Sequence, residues 1–223
     1  LADTRDEWKM NKAGYKARIK KNLSDNFAAF INGSQELYFS LIDYPENAVN
    51  AEKTVSESQW LNRQAVYKDA LGKGINMTVS LNNEMLVKEA VINDLSALGD
   101  ISGKEHYDIP FKLTSNNSID IEVGGKFLSE EKIITTDKTV KIIDNKGITS
   151  YILAPKAMDS EGNAINISIE YKLTKGGITL TKKLPTSWLK NASYPVRTDA
   201  TVSYYSGAGD GRADGAGCAA GAG

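Results

Sequence analysis

The sequence predicts an all-β protein built of antiparallel β-sandwich-type modules, with one short helical turn near Trp188. Apolar residues alternate with polar ones in several runs, most clearly at 75–81, 165–173 and 178–184. A period of two is typical of strands that bury one face and expose the other. Turn pairs such as Asn32-Gly33 separate the runs, and helical periodicity is nearly lacking in the sequence. We therefore expect stacked antiparallel sheets.

The first half of the chain predicts strands joined by tight turns. Tyr15, Ala17 and Ile19 alternate with basic residues, which indicates a strand with a solvated basic face rather than a phosphate site. The other expected elements, in chain order, are a hairpin of 27–31 and 37–42 around a type I′ turn at Asn32-Gly33, a polar loop at 43–60, a strand opening at Val66-Tyr67, a turn at 71–74, a hairpin of 75–81 and 85–92 turning at Asn82-Asn83, and a short helix within 93–102.

The second half ends in a corner. The alternating segment 178–184 predicts a strand that Pro185 closes, and Thr186 or Ser187 is expected to cap one helical turn that carries Trp188. Extended chain restarts at 194–196, because a residue before proline avoids the α region. The preceding expected elements are strands at 107–113, 119–123 and 165–173 and a hairpin of 132–143 with 148–153.

The predicted elements group into four segments along the chain. A division near residues 100–106 would give two sandwich-like halves that share an interface. The expected segments are a lead-in at 1–12, a first half at 13–103, a second half at 104–205, and a Gly/Ala-rich tail at 206–223. The tail is either a linker or the start of a further β domain, and the strand-like residues 201–205 favour the second interpretation.

Composition limits the partners. The chain has 223 residues, a net charge of −1, 41% hydrophobic and 25% charged residues, which is an ordinary globular composition without a basic field for nucleic acid. No apolar run approaches the roughly 20 residues of a bilayer span, so no membrane insertion is expected. Cys218 is the single cysteine, which excludes intrachain disulfides. Glycosylation sequons start at six positions, Asn22, Asn32, Asn76, Asn116, Asn166 and Asn191.

Residues with possible chemistry have simpler explanations. Asp120 and Glu122 share one strand face, but their spacing fits a solvated face better than a paired-carboxylate site. The loop 159–163 carries oxygen ligands at alternate positions, but it lacks the central glycine and the bidentate glutamate at position 12 that define an EF-hand calcium loop. His106 is the single histidine, which excludes a metal site with two histidine ligands within one chain, and an ordinary surface role is expected for it. We therefore predict no catalytic residues, no metal, no cofactor and no enzymatic activity.

Several motifs together resemble a known module. They are Gly14-Tyr15-Lys16-Ala17-Arg18, Val66-Tyr67-Lys68-Asp69, Gly74–Val79, Leu86–Ile92, Trp188-Leu189, Tyr194-Pro195-Val196 and Thr198-Asp199-Ala200-Thr201. Over residues 8–205 the chain resembles the β-rich module of Rhs/YD-repeat and DNRLRE-associated bacterial surface proteins and of related phage virion proteins. Surface versions often have Ile-Asp-Pro-Thr where this chain has 197–201. The resemblance implies a β fold and brings no catalytic residues.

The expected function is structural. The resemblance implies a non-catalytic assembly protein of an extracellular particle or surface, with a phage virion (tail, fibre or capsid decoration) favoured. The expected partners are further copies of the chain or other proteins of the same assembly, joined by strand addition at sheet edges. The alternative is a carbohydrate-binding or adhesion module of a secreted or cell-surface bacterial protein, with a surface glycan as partner.

Overall fold

The computed structural model describes residues 2–3, 6–11, 14–42, 51–55, 63–81, 85–130 and 132–204. These residues confirm the all-β prediction, because they form two large antiparallel sheets with little helix. The first ten strands are β1 (Ala2–Asp3), β2 (Glu7–Asn11), β3 (Lys16–Lys20), β4 (Ala28–Asn32), β5 (Gln35–Leu41), β6 (Ala51–Val55), β7 (Arg63–Tyr67), β8 (Ile75–Leu81), β9 (Met85–Ile92) and β10 (His106–Ser115).

Ten further strands and two short helical segments complete the described chain. The strands are β11 (Ile119–Val123), β12 (Lys126–Phe127), β13 (Ile133–Thr136), β14 (Val140–Asp144), β15 (Thr149–Ile152), β16 (Lys156–Met158), β17 (Ala164–Asn166), β18 (Ser168–Thr174), β19 (Gly177–Pro185) and β20 (Val196–Ser203). A 3₁₀ helix at Leu95–Leu98 falls within the predicted helix segment, and α1 (Thr186–Leu189) is the predicted turn with Trp188.

The two sheets have long, simple strand orders. The first sheet runs β1-β2-β3-β4-β5-β10-β19-β18-β13, and the second runs β12-β11-β14-β15-β20-β9-β8-β7-β6, with β16 and β17 attached beside β20. Strands from before residue 104 fill one part of each sheet and later strands fill the other. The ladders β5–β10 and β9–β20 join these parts. The division at 103/104 into two modules stays a prediction.

One core lies between the sheets. Tyr15 on the first sheet donates its hydroxyl to the Met85 carbonyl of the second sheet at 2.7 Å. Phe27 packs edge-on against Tyr67, with ring centroids 5.9 Å apart. Gln35 donates to the Ile148 carbonyl at 3.0 Å, which is a second polar contact between the sheets. Alternate side chains of each strand point into this core, as the period-two pattern predicts.

The first half differs from the predictions in several places. Residues 7–11 lie within the predicted lead-in, but they form β2, because Trp8 and Met10 bury their side chains in the core. Residues 51–55 lie within the predicted loop 43–60, but they form β6 by pairing with β7. Val66-Tyr67 ends β7 instead of opening a strand. The rest of the predicted loop, the Asn82-Asn83 turn and the tail at 206–223 lie outside the described residues.

The first hairpin turns one residue later than predicted. Asn32 pairs with Gln35 as the last rung of the ladder, so Gly33-Ser34 forms the two-residue turn. Gly33 adopts φ +59°, which a glycine accepts without strain. The prediction of a type I′ turn centred on Asn32-Gly33 is therefore wrong. The Asn32 side chain instead donates to the Thr149 carbonyl of the other sheet at 2.8 Å.

The second half differs where the chain changes sheets. The predicted strand at 132–143 is two strands, β13 in the first sheet and β14 in the second. The predicted strand at 165–173 is also divided, because β17 pairs with β16 and β18 pairs with β19. Between them the Ile167 N–H donates to the Pro155 carbonyl at 3.2 Å. Alternation continues from β17 to β18 because Ile165, Ile167 and Ile169 all face the shared core.

The helical turn is not capped as predicted. Pro185 occupies the N-cap position, and no side chain makes a capping hydrogen bond. Thr186 instead donates its hydroxyl to the carbonyls of Lys104 and Glu105, which ties the turn to the chain just before β10. No helix among the described residues is both long enough and apolar enough to cross a lipid bilayer.

Candidate functional site

The sequence-level candidates do not form a site in the structure. Asp120 is exposed on β11, and Glu122 lies 3.6 Å from the ammonium group of Lys141 on the neighbouring strand. His106 is the first residue of β10, opposite Pro185. Within the described part of the chain, His, Cys, Asp and Glu side chains form no group of three able to hold a metal ion.

The loop at 159–163 uses its carboxylate to hold itself together. Asp159 Oδ1 accepts the N–H groups of Glu161 at 3.0 Å and Asn163 at 2.8 Å. Its Oδ2 accepts the Asn163 side-chain amide at 3.0 Å and the Ser193 N–H at 3.3 Å. These bonds, led by the Asn163 amide, lower the pKa of Asp159. The carboxylate therefore closes a turn and joins it to the segment before β20.

The unusual chemistry of the molecule is a pair of lysines in the core between the sheets. Lys182 on β19 of the first sheet is 1% exposed, and Lys88 on β9 of the second sheet is 2% exposed. Lysine is almost never fully buried in a protein without partners. We call Lys88 and Lys182 the buried lysine pair.

Lys182 is held by oxygen atoms of the opposite sheet. Its Nζ donates to the Thr198 carbonyl at 3.0 Å and to the Thr198 hydroxyl at 3.1 Å. It also lies 3.3 Å from the carbonyl of Lys88. Thr198 and Lys88 lie on β20 and β9, so one side chain of the first sheet is bonded to two strands of the second. Lys182 is thus a polar link between the two sheets.

Lys88 is placed against an aromatic ring of the first sheet. Its Nζ lies 3.7 Å from the ring centroid of Phe39, within the range of a favourable cation–π contact. Lys182 has a looser contact of the same kind, 5.3 Å from the Phe111 ring centroid. Each lysine therefore extends from one sheet and reaches a group on the other.

Burial shifts both amines toward their neutral forms. Desolvation lowers the pKa of Lys182 to about 8, and the carboxylates of Asp199 and Glu89 oppose the shift. Desolvation lowers the pKa of Lys88 well below its ordinary value, and the charge of Lys182 lowers it further, while Asp199 raises it. Both pKa values are lowered because a charged amine loses its hydration in a region with little water, which costs free energy.

The strand phase explains why both lysines point inward. Lys182 stands between Leu180 and Leu184, which are buried on the same face of β19. Lys88 stands between Leu86 and Ala90 on β9 in the same way. The inward direction of both side chains could be read from the sequence, because each lysine occupies a position that the alternating pattern assigns to the buried face of its strand. Because both amines are enclosed between the sheets, the pair forms part of the packing of the two sheets.

A second polar cluster lies on the outer face of the first sheet. The carboxylate of Glu36 accepts bonds from the Arg18 guanidinium and, at 2.6 Å, from the Tyr38 hydroxyl. The Arg18 Cζ atom lies 5.8 Å from the Tyr38 ring centroid. Ala29 pairs with both Arg18 and Tyr38, and its small side chain leaves room for them to lean together. Burial, and then the Glu36 carboxylate, raise the pKa of Tyr38.

Two neighbouring edges of the sheets carry exposed apolar residues. β12 is the last strand of the second sheet, and its Phe127 is 54% exposed. β13 is the last strand of the first sheet, and its Ile133 is 56% exposed. Only residues 128–132 separate these two strands along the chain.

Comparisons with known proteins add no functional assignment. No family model matches the chain, and no curated protein matches it. Among solved structures, the chain is similar to the crystal structure of the Slr1438 protein from Synechocystis sp. PCC 6803. The similarity has a TM-score of 0.43 and 9% sequence identity, and it covers 91% of this chain and 97% of the other.

Proposed function

We propose that this protein is a non-catalytic structural or assembly protein of an extracellular particle or surface. The setting that we favour is a phage virion, as part of a tail, a fibre or a capsid decoration. The observation that carries the proposal is the edge strand β13, which pairs with β18 alone among the described strands and whose Ile133 is exposed. An edge strand presents backbone donors and acceptors that a strand of another protein can pair with.

The sandwich is built to keep its two sheets in one arrangement. The buried lysine pair and the contacts from Tyr15 and Gln35 cross the interface at separate places. Polar contacts in a core favour one packing arrangement, because any other arrangement would leave these groups without partners. A sandwich whose sheets keep one arrangement, and whose edge strand can pair with a strand of another protein, is suited to repeated assembly. The resemblance described above supports a particle or cell surface as the setting.

Purified particles provide the test of this function. We expect mass spectrometry of virions from the source phage, or of surface extracts if the flanking genes are bacterial, to detect the chain in fixed stoichiometry with the other structural proteins. Antibody labelling in electron microscopy should then place it at regular positions on the particle. Detection of the chain only as a free protein that turns over a small substrate would contradict the proposal.

The alternative is carbohydrate binding, and the cluster of Arg18, Glu36 and Tyr38 is the feature that favours it. A half-exposed aromatic ring beside hydrogen-bonding groups suits a sugar, which has an apolar face and polar edges. If this function is correct, a glycan array will give reproducible hits, and Tyr38→Ala will reduce binding at least about tenfold. Tyr151→Ala, on the second sheet, is the matched control and should leave binding unchanged. Equal loss in both variants, or no hits, would contradict it.

A further inference from the structure

We propose that β13 pairs with β13 of a second copy of this chain, antiparallel, about a two-fold axis that passes beside Ile134. The pairing would join the first sheets of two molecules into one continuous sheet. This inference rests on the proposed assembly function and deepens it by naming the partner and the surface.

The hydrogen-bond alternation of the neighbouring strands determines which groups of β13 face outward. The Thr186 N–H donates to the Glu105 carbonyl at 3.0 Å, immediately beyond the β10–β19 ladder. Even-numbered residues of β19 therefore bond to β10, and odd-numbered ones bond to β18, because antiparallel pairs alternate. The two-residue turn between Thr174 and Gly177 agrees, since such a turn is closed by a hydrogen-bonded pair.

The same alternation extends to β13. Even-numbered residues of β18 bond to β19, so Ile169 and Tyr171 direct their backbone groups to β13. Their partners are Thr136 and Ile134. The N–H and C=O groups of Ile133 and Thr135 consequently point away from the sheet. Among the described strands, β18 is the one that pairs with β13, so these four groups form its open edge.

A second copy can satisfy all four groups at once. A two-fold axis beside Ile134 sets Ile133 opposite the partner's Thr135, and the reverse pair follows by symmetry. Both are hydrogen-bonded pairs, so four backbone hydrogen bonds form. The central pair, Ile134 with the partner's Ile134, is then a pair without hydrogen bonds. A self-complementary edge of this kind produces a closed dimer and not an open fibre.

Side chains select this register. The exposed Ile133 side chain gains a neighbour in the partner's Thr135 on the outer face. A register centred on Thr135 would instead set the Ile133 side chain opposite the partner's Asp137, so that Ile133 would gain a charged neighbour. Burial of Ile133 and the four backbone bonds therefore carry the association.

Cysteine cross-linking tests the register directly. Opposed residues in a pair without hydrogen bonds have Cα atoms about 4.5 Å apart, which allows a disulfide. In a Cys218→Ser background, Ile134→Cys is expected to form a covalent dimer under mild oxidation. Thr136→Cys is the matched control, because it lies on the same face but its two copies would be about 13 Å apart. Equal cross-linking of the two variants, or none in Ile134→Cys, would overturn the register.

Solution mass tests the dimer itself. Sedimentation equilibrium of the wild type should give twice the chain mass of 24.2 kDa at high concentration. Thr135→Pro removes an outward N–H without touching the β18 ladder, and it should weaken dimerisation at least about tenfold, whereas Thr135→Ala should not. Ile133→Lys should also weaken it. A monomeric wild type, or a dimer unaffected by Thr135→Pro with a native circular dichroism spectrum, would overturn the inference. Stoichiometric detection in particles would still support the assembly function in that case.

Discussion

A Lys182→Met variant is expected to lose the contribution of Lys182 to the rise in unfolding free energy that the wild type shows between about pH 8 and 10.5, while the contribution of Lys88 remains. The pKa of Lys182 is about 8 in the folded protein, against an ordinary value of 10.5. Between these values the unfolded chain binds the proton and the folded one does not, so stability increases with pH. This contribution is complete above pH 10.5 and is lost as pH falls to 8. The lowering of the Lys182 pKa from 10.5 to about 8 corresponds to about 3 kcal/mol of unfolding free energy.

Urea denaturation from pH 6 to 9.5 measures the effect. Above this range the comparison is confounded, because burial raises the pKa values of Tyr15, Tyr67 and Tyr171, and the unfolded chain then ionises first. Lys183→Met is the matched control. Its side chain points outward and lies 3.1 Å from the carboxylate of Asp108, an exposed ion pair worth at most about 1 kcal/mol. An unchanged pH slope in Lys182→Met would show that Lys182 remains charged in the folded state.

The strands could be predicted because one face of each is buried. Where both sheets bury alternate residues against one core, the sequence must alternate, as at Ile178, Leu180 and Leu184. The phases of the predicted strands at 75–81, 85–92 and 107–113 are confirmed by the structure for the same reason. The alternating pattern shows which residues face inward, but it does not show which strand lies beside which.

Sheet membership could not be predicted for that reason. Ile165 and Ile169 continue one alternating pattern, although β17 and β18 belong to different sheets. The change at Ile167 depends on the Pro155 carbonyl, a partner 12 residues away that no local pattern marks. Polar strands at the edges were missed as well. β6 is held by its ladder to β7, and its sequence, Ala-Glu-Lys-Thr-Val, carries little hydrophobic signal.

The buried lysine pair shows the limit of composition-based expectations. A lysine is normally assigned to the solvent, so Lys88 and Lys182 look like ordinary interruptions of an apolar phase. Their role depends on Thr198, Phe39 and the Lys88 carbonyl, which come from other strands. The sequence pattern shows that both lysines lie on the inward faces of their strands. It cannot show the groups that stabilise the buried amines, because those groups come from strands that are distant in the sequence.

A Lys88→Met variant is expected to be more stable than the wild type at pH 7, by about 1–4 kcal/mol, the range that is found when buried ion pairs are replaced by apolar side chains of similar volume. The pKa of Lys88 is lowered well below 10.5, first by desolvation and then by Lys182. Folding therefore either releases the proton or buries the charge, and both cost free energy. This cost disappears as pH rises toward 10.5, so the gain from methionine should shrink in the same direction.

The Phe39 ring provides the internal control for Lys88. Its centroid lies 3.7 Å from the amine, and a desolvated contact of this kind stabilises the charged form by about 2 kcal/mol. In a Phe39→Leu background the amine loses the ring, so the gain from Lys88→Met should exceed the gain in the wild type. The coupling is measured by a double-mutant cycle from urea denaturation of the four proteins at pH 7. A Lys88→Met variant less stable than the wild type at pH 7 would mean that the amine links the sheets more strongly than its burial opposes folding.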